Sequence, residues 1–219
     1  MPEFGAVKVS RTLGVLICIE GIDGCGKTTH ARELVSSLMK MGFNAIYTTE
    51  PTEGLYGRII RARILETDEG IPDAVVALLF AADRVDHLEK EIKPLLEKGV
   101  VVICDRYLHS SIAYQGAAGL DTEWVSEINK YAIEPDLALY IDVSPEIGLK
   151  RIKGGRRLRS SMENLQNLKN VRKIYHKLVK DNELMMVNGA ASFRSVSERI
   201  LKLVREYLTE RGVTRSAED

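Results

Sequence analysis

Apolar residues fall along this chain in two alternating rhythms. Short, mainly apolar runs occupy residues 13–19, 43–49, 99–104, 137–143 and 184–187. Between them the spacing is helical: after the first run, apolar residues recur at 31, 34, 35, 38 and 39, one face of an α-helix. Similar spacing covers 56–65, 73–96, 110–115, 122–132, 145–153, 162–180 and 195–210. A kink is expected near Pro94, and Pro145 suits a first helical position. Continuous rather than alternating apolar runs describe strands buried on both faces, and strand–helix alternation puts them in a parallel sheet. The pattern predicts an α/β fold, a three-layer α/β/α arrangement around five parallel strands. With no internal repeat or dividing linker, residues 1–219 read as a single domain. It carries a loose N-terminal arm (1–12), a short basic lid (150–160) and a mobile polar tail (212–219).

Ligands of such sheets bind at the carboxyl ends of the strands. Those ends carry Glu20, Glu50, Asp105 and Asp142, and the first three are expected around the stretch Gly21-Ile22-Asp23-Gly24-Cys25-Gly26-Lys27-Thr28-Thr29. This stretch has the P-loop form, Gly, four residues, then Gly-Lys-Thr, set between a strand and a helix. Backbone N–H groups and a helix N-terminus converge there, where a polyphosphate binds. Lys27 can reach the β- and γ-phosphates, and the Thr28 hydroxyl can hold Mg²⁺. Asp105, ending a buried run, fits the carboxylate that helps hold that ion. The chain is read as having a nucleoside triphosphate site with Mg²⁺ as cofactor.

Composition narrows the class. Lys plus Arg and Asp plus Glu balance at 31 each, which gives no nucleic-acid footprint. No stretch approaches the roughly 18 apolar residues of a membrane span. Cys18, Cys25 and Cys104 are odd in number and lack metal spacing, which suits a reducing cytoplasm. Cys18 and Cys104 read as small core residues. Cys25, inside the phosphate loop, is either a tolerated small residue or a thiol whose pKa nearby positive charge lowers. His30, His87, His109 and His176 show no metal or catalytic spacing.

Phe80 and Arg84 are four apart on one helix face. A planar base could stack on the ring while the guanidinium donates to a base carbonyl; the bland reading is a core Phe and a solvated Arg. Ser111 and Gln115, with Tyr114 beside them, repeat the spacing, and Gln can read a base edge as donor and acceptor. Residues 150–159 hold Lys150, Arg151, Lys153, Arg156, Arg157 and Arg159 beside a Gly pair. This is either a solvated charge run or an arginine-bearing lid over a transferring phosphoryl group. On residues alone, a P-loop nucleoside kinase and a partner-driven P-loop ATPase compete with a monophosphate kinase. A nucleoside kinase needs a carboxylate base instead of phosphate-binding arginines such as Arg61 and Arg106.

At this point the chain resembles the thymidylate kinase family. The resemblance rests on Glu20–Thr29, Glu50-Pro51, Leu79-Phe80-Ala81-Ala82-Asp83-Arg84, Asp105-Arg106-Tyr107 and Ser110-Ser111-Ile112-Ala113-Tyr114-Gln115-Gly116. It implies ATP binding by Gly21, Ile22, Asp23, Gly24, Cys25, Gly26, Lys27, Thr28, Thr29 and Arg151. It implies dTMP binding by Glu50, Pro51, Arg61, Phe80, Arg84, Arg106, Ser111, Tyr114 and Gln115. Phe80 would stack on thymine, Tyr114 would pack by the sugar, and Asp23 would orient the acceptor. Catalysis would fall to Asp23, Lys27, Arg106 and a lid arginine among Arg156, Arg157 and Arg159, and metal binding to Thr28 and Asp105. A cis Glu50–Pro51 peptide and a homodimer are also implied. The chain departs from the family pattern at Thr49, where Arg is usual, and at Ser161-Met162, where the lid carries acidic and aromatic residues. Some members place an arginine at the position of Gly24.

Overall fold

A computed structural model of the protein describes residues 14–65, 70–155 and 164–213. Five strands form one parallel sheet in the order β2-β3-β1-β4-β5. They are β1 (Val15–Glu20), β2 (Ala45–Thr49), β3 (Val101–Asp105), β4 (Leu137–Asp142) and β5 (Met185–Asn188). The inner strands are apolar because helices cover both faces: every residue of β1 and β3 is buried. Helix α1 (Lys27–Lys40) packs on α9 (Phe193–Glu210) in one layer, and α5 (Leu108–Ala117) on α8 (Leu165–Lys180) in the other. The remaining helices are α2 (Leu55–Ile60), α3 (Asp73–His87), α4 (Lys93–Glu97), α6 (Thr122–Ile128) and α7 (Pro145–Gly155).

Two helical stretches depart from the even spacing the sequence suggests. Residues 56–65 divide into α2 and a π-helical turn, Arg61–Leu65. The long pattern from Asp73 is interrupted by a second π turn, Leu88–Ile92, immediately before Pro94. Proline has no N–H to donate and its ring crowds the carbonyl four residues back. Widening the preceding turn accommodates both, so the irregularity lies ahead of the proline.

At the C-terminus, Gly212 and Val213 cap α9 through bonds to Thr209 and Leu208 carbonyls, and Val213 packs on the core. The expected tail therefore starts ordered, and its remainder, 214–219, lies outside the described residues. So do the arm expected at 1–12 and the lid residues Arg156, Arg157 and Arg159. Among the described residues no helix is long and apolar enough to cross a membrane.

Candidate active site

The phosphate loop leaves the end of β1, the central strand, and enters α1 through Gly26, whose φ of 100° is accessible to few other residues. Gly24 (φ 78°) lies against α7 so closely that a Cβ there would come within 2.2 Å of the Gly148 carbonyl oxygen. A Cβ on Gly148 would in turn meet the Asp23 carbonyl oxygen at 2.5 Å. Backbone thus rests on backbone at the start of α7. Lys27 is buried, its Nζ donating to the Ile22 carbonyl at 2.9 Å. Arg151 spans the outer rim, donating to the carbonyls of Cys25 and Gly189 at 3.3 Å each. Cys25 is fully buried, and burial, outweighing the charge of Lys27, pushes its thiol pKa up. Cys25 is thus a buried small residue of the loop and not an activated thiol.

Of the three carboxylates expected around the loop, only Asp105 stands there. Thr28 Oγ1 donates to Asp105 Oδ2, Tyr47 donates to the same oxygen at 3.3 Å, and Asp105 Oδ1 is buried with no partner among the described residues. A hydroxyl and a carboxylate with a spare oxygen are hard donors that fit Mg²⁺. Glu20 is instead a structural anchor: its carboxylate accepts from the Tyr107 N–H at 2.9 Å, the Ser110 hydroxyl at 2.6 Å and the Tyr175 hydroxyl at 2.9 Å. Burial raises its pKa, and the bonds from Ser110 and Tyr175 oppose the rise.

Just past β3, Arg106 adopts φ 69°, a left-handed conformation that costs a non-glycine residue about 1–3 kcal/mol and clusters at functional sites. Its guanidinium pairs with Asp23 Oδ1 and lies over the Tyr114 ring, 5.0 Å from the centroid. Burial opposes its charge, but Asp23, Tyr114, Tyr175 and Asp105, with Asp23 foremost, together outweigh it and hold the pKa well above the usual arginine value. Tyr114 closes the cluster: its hydroxyl accepts from the Asp23 N–H at 3.1 Å and donates to Oδ2 at 2.9 Å. Phosphate loop, β3 turn and α5 therefore meet at Asp23, Arg106 and Tyr114.

A second cluster lies behind it. The Glu50–Pro51 peptide is cis. Arg84, far from being solvated, is 1% exposed and pairs with Glu50 Oε2 at 2.7 Å. It also donates to Ser111 Oγ at 3.0 Å and to Asn129 Oδ1. Glu50 continues to His87 Nδ1 at 3.1 Å, and His87 Nε2 to Thr48 Oγ1 at 2.7 Å. Phe80 is half-buried against Ile60, Ile64 and Val76, which leaves part of its ring open. The Gln115 Oε1 is buried with no partner among the described residues. An open ring, an immobilised guanidinium and an unsatisfied amide oxygen together form a surface able to read a flat polar heterocycle. Arg61 stands apart from Arg106 in its contacts, donating to the carbonyls of Pro51 and Thr52 and pairing with Glu53 at 3.1 Å.

Three participants escaped the sequence reading. Asp83, fully buried, accepts the Thr52 N–H at 2.7 Å and its hydroxyl at 2.6 Å, pinning the loop after Pro51. His87 and Asn129 support Glu50 and Arg84. For Asp83 the signal was present in the segment Phe80-Ala81-Ala82-Asp83-Arg84; for the other two no local pattern marks them.

A family model described as thymidylate kinase matches residues 19–200. The chain belongs to the thymidylate kinase family. It is therefore a nucleoside monophosphate kinase with ATP as the phosphoryl donor. Similar curated proteins agree. A probable thymidylate kinase of Staphylothermus marinus is 43% identical over 200 residues, covering 91% of this chain and 99% of that protein. One from Thermococcus onnurineus is 42% identical over 206 residues, 90% of this chain and all of the relative. The thymidylate kinase of Brachyspira hyodysenteriae is 37% identical over 196 residues, covering 88% and 94%.

Proposed function

We propose that the two clusters divide the reaction between them, Asp23–Arg106–Tyr114 at the meeting point of two phosphates and Phe80–Arg84–Ser111–Gln115 at the acceptor base. The reaction is transfer of the γ-phosphoryl group of ATP to dTMP, giving ADP and dTDP. The observation that carries the assignment is the juxtaposition of Arg106 with Asp23: a half-buried cation stands next to the phosphate loop without belonging to it. A phosphate monoester has its second pKa near about 6, so at neutral pH the acceptor oxygen is already a nucleophile. No general base is needed, which agrees with Asp23 being engaged by Arg106 and Tyr114. The task is to bring two anions into line, and positive charge and positioning do that.

Gly21 to Thr29 cradle the triphosphate and Lys27 meets the β- and γ-oxygens. Arg106 and Arg61 hold the acceptor phosphate, with Glu50-Pro51 shaping its floor, and Tyr114 packs by the sugar. Arg151 borders the adenine. Thr28 and Asp105 would hold Mg²⁺, which when bound offsets charge on the β- and γ-phosphates. One of Arg156, Arg157 and Arg159 supplies the remaining cation from a lid over ATP, a reading that rests on the basic sequence of 150–160. The three cysteines are buried and unbridged, in keeping with a reducing cytoplasm.

The test is ADP release with ATP and Mg²⁺, comparing dTMP, dUMP, thymidine and no acceptor. Strong turnover with dTMP, less with dUMP and little with thymidine is expected. Equal ADP formation without acceptor would remove the acceptor-site roles of Arg61 and Arg106.

A homodimer is the proposed assembly. The apolar stretch Val75, Val76, Leu78 and Leu79 of α3 offers a candidate face for it. Of these, Val76 is buried and Leu79 packs inward, while Val75, Leu78 and Val85 are exposed along one side of α3. A shallow pocket of about 490 Å³ bordered by Tyr56, Leu78, Val85 and Ile128 lies on that side. Replacing Leu78 by Glu is expected to convert a dimer to monomers in sedimentation velocity, because a charge buried at a shared apolar face lacks a partner. A wild-type monomer, or an unchanged dimer in the variant, would refute this assembly.

A further inference from the structure

We infer that Asn129, at the end of α6, is a positioning residue that fixes the orientation of the base-reading arginine, Arg84. This rests on the role given to Arg84 under the proposed function. A guanidinium carries five N–H donors in one plane. Nη2 donates to Ser111 Oγ at 3.0 Å and lies 2.7 Å from Glu50 Oε2 in an ion pair. Two partners on one nitrogen leave the plane able to swing about that end. The second anchor is Asn129 Oδ1, which accepts from Nη1. Two donors then remain, the second hydrogen on Nη1 and the Nε–H, which is buried without a partner among the described residues. Those are what a base can meet, and Asn129 sets where they point.

Asn129 is itself immobilised. It is 4% exposed, and its Nδ2 donates to the Val125 carbonyl at 2.8 Å, one turn back in α6. That bond decides which side of the amide faces Arg84, leaving only Oδ1 to accept. The Tyr107 ring lies 5.3 Å from the guanidinium and supports its position. Since Glu50 already offsets the charge of Arg84, a neutral amide adds direction without a second buried carboxylate. A donor held in its binding geometry before the ligand arrives avoids the ordering cost on binding.

The experiment uses the full chain and measures KM for dTMP, KM for ATP, kcat, dTMP binding by calorimetry, and Tm. In Asn129→Leu, KM and Kd for dTMP are expected to rise about tenfold while KM for ATP stays within about twofold. Asn129→Asp keeps the acceptor oxygen but loses the bond to Val125, and its KM for dTMP is expected to stay within about threefold of wild type. A role confined to capping α6 would make the two variants alike, lowering Tm and leaving the dTMP constants unmoved; that result overturns the inference. Should Asn129→Leu not fold, Asn129→Ala is read in the same way. Arg84→Lys separates the premises. A raised dTMP KM there with an unchanged one in Asn129→Leu defeats the inference alone, whereas an unchanged KM in Arg84→Lys removes the base-reading role and the inference with it.

Discussion

Replacing Arg106 by alanine is expected to lower kcat/KM for dTMP by about 10³-fold, with KM for ATP little changed. The guanidinium is held in a left-handed backbone turn and paired with Asp23, so its position is fixed before any phosphate arrives. Alanine removes a cation from a site that must gather two anions, and it leaves the Asp23 carboxylate facing the acceptor with its charge unopposed. The loss is thus larger than one missing hydrogen bond, since a repulsion replaces an attraction. Arg106→Lys should recover little, because an ammonium cannot reproduce a planar fork shared between carboxylate and phosphate. Steady-state kinetics with dTMP and ATP varied separately decide the matter. Unchanged acceptor KM and kcat in Arg106→Ala would sink the assignment.

Lys27→Met is expected to reduce kcat by about 10²–10³-fold while the protein keeps its fold. The side chain is buried at the loop, where its Nζ donates to the Ile22 carbonyl at 2.9 Å. Methionine matches the length of the stem, so packing is nearly conserved. What disappears is the positive charge at the oxygens that become more negative as the γ-phosphoryl group departs. Circular dichroism should be indistinguishable from wild type, and ATP should still bind, though more weakly, through the loop N–H groups. A kcat within about threefold of wild type would show that Lys27 does not act on the transferred group.

The difference between what the chain discloses by itself and what only the folded molecule shows has a physical basis. Strands β1 and β3 are legible because both faces are buried, so every position must be apolar. The phosphate loop is legible because its geometry is local: the glycines and Lys27 act within nine consecutive residues. Arg84 was visible only as a position on a helix face, since its partners Glu50, Ser111 and Asn129 come from three other parts of the chain. Nothing local marks Asn129, inside the expected helix 122–132, or His87, until β2, α3 and α6 assemble around them. Glu20 shows the converse. Its place at a strand end suggested a role beside the loop, but the sequence gives no sign that Tyr107, Ser110 and Tyr175 would claim its carboxylate. The breaks in α2 and before Pro94 are hydrogen-bond register changes, to which hydrophobic spacing is nearly blind.

The contact between Gly24 and Gly148 bears on how such an enzyme can change over time. In some family members an arginine occupies the position of Gly24. Here any side chain at 24 would run into the Gly148 carbonyl, and the backbone at 24 has φ 78°. A chain of this design cannot acquire that arginine by one substitution. The first turns of α7 would have to be displaced at the same time, and with them the entry to the basic segment. Positions 24 and 148 are thus coupled: a side chain at one is accommodated only if the backbone at the other moves.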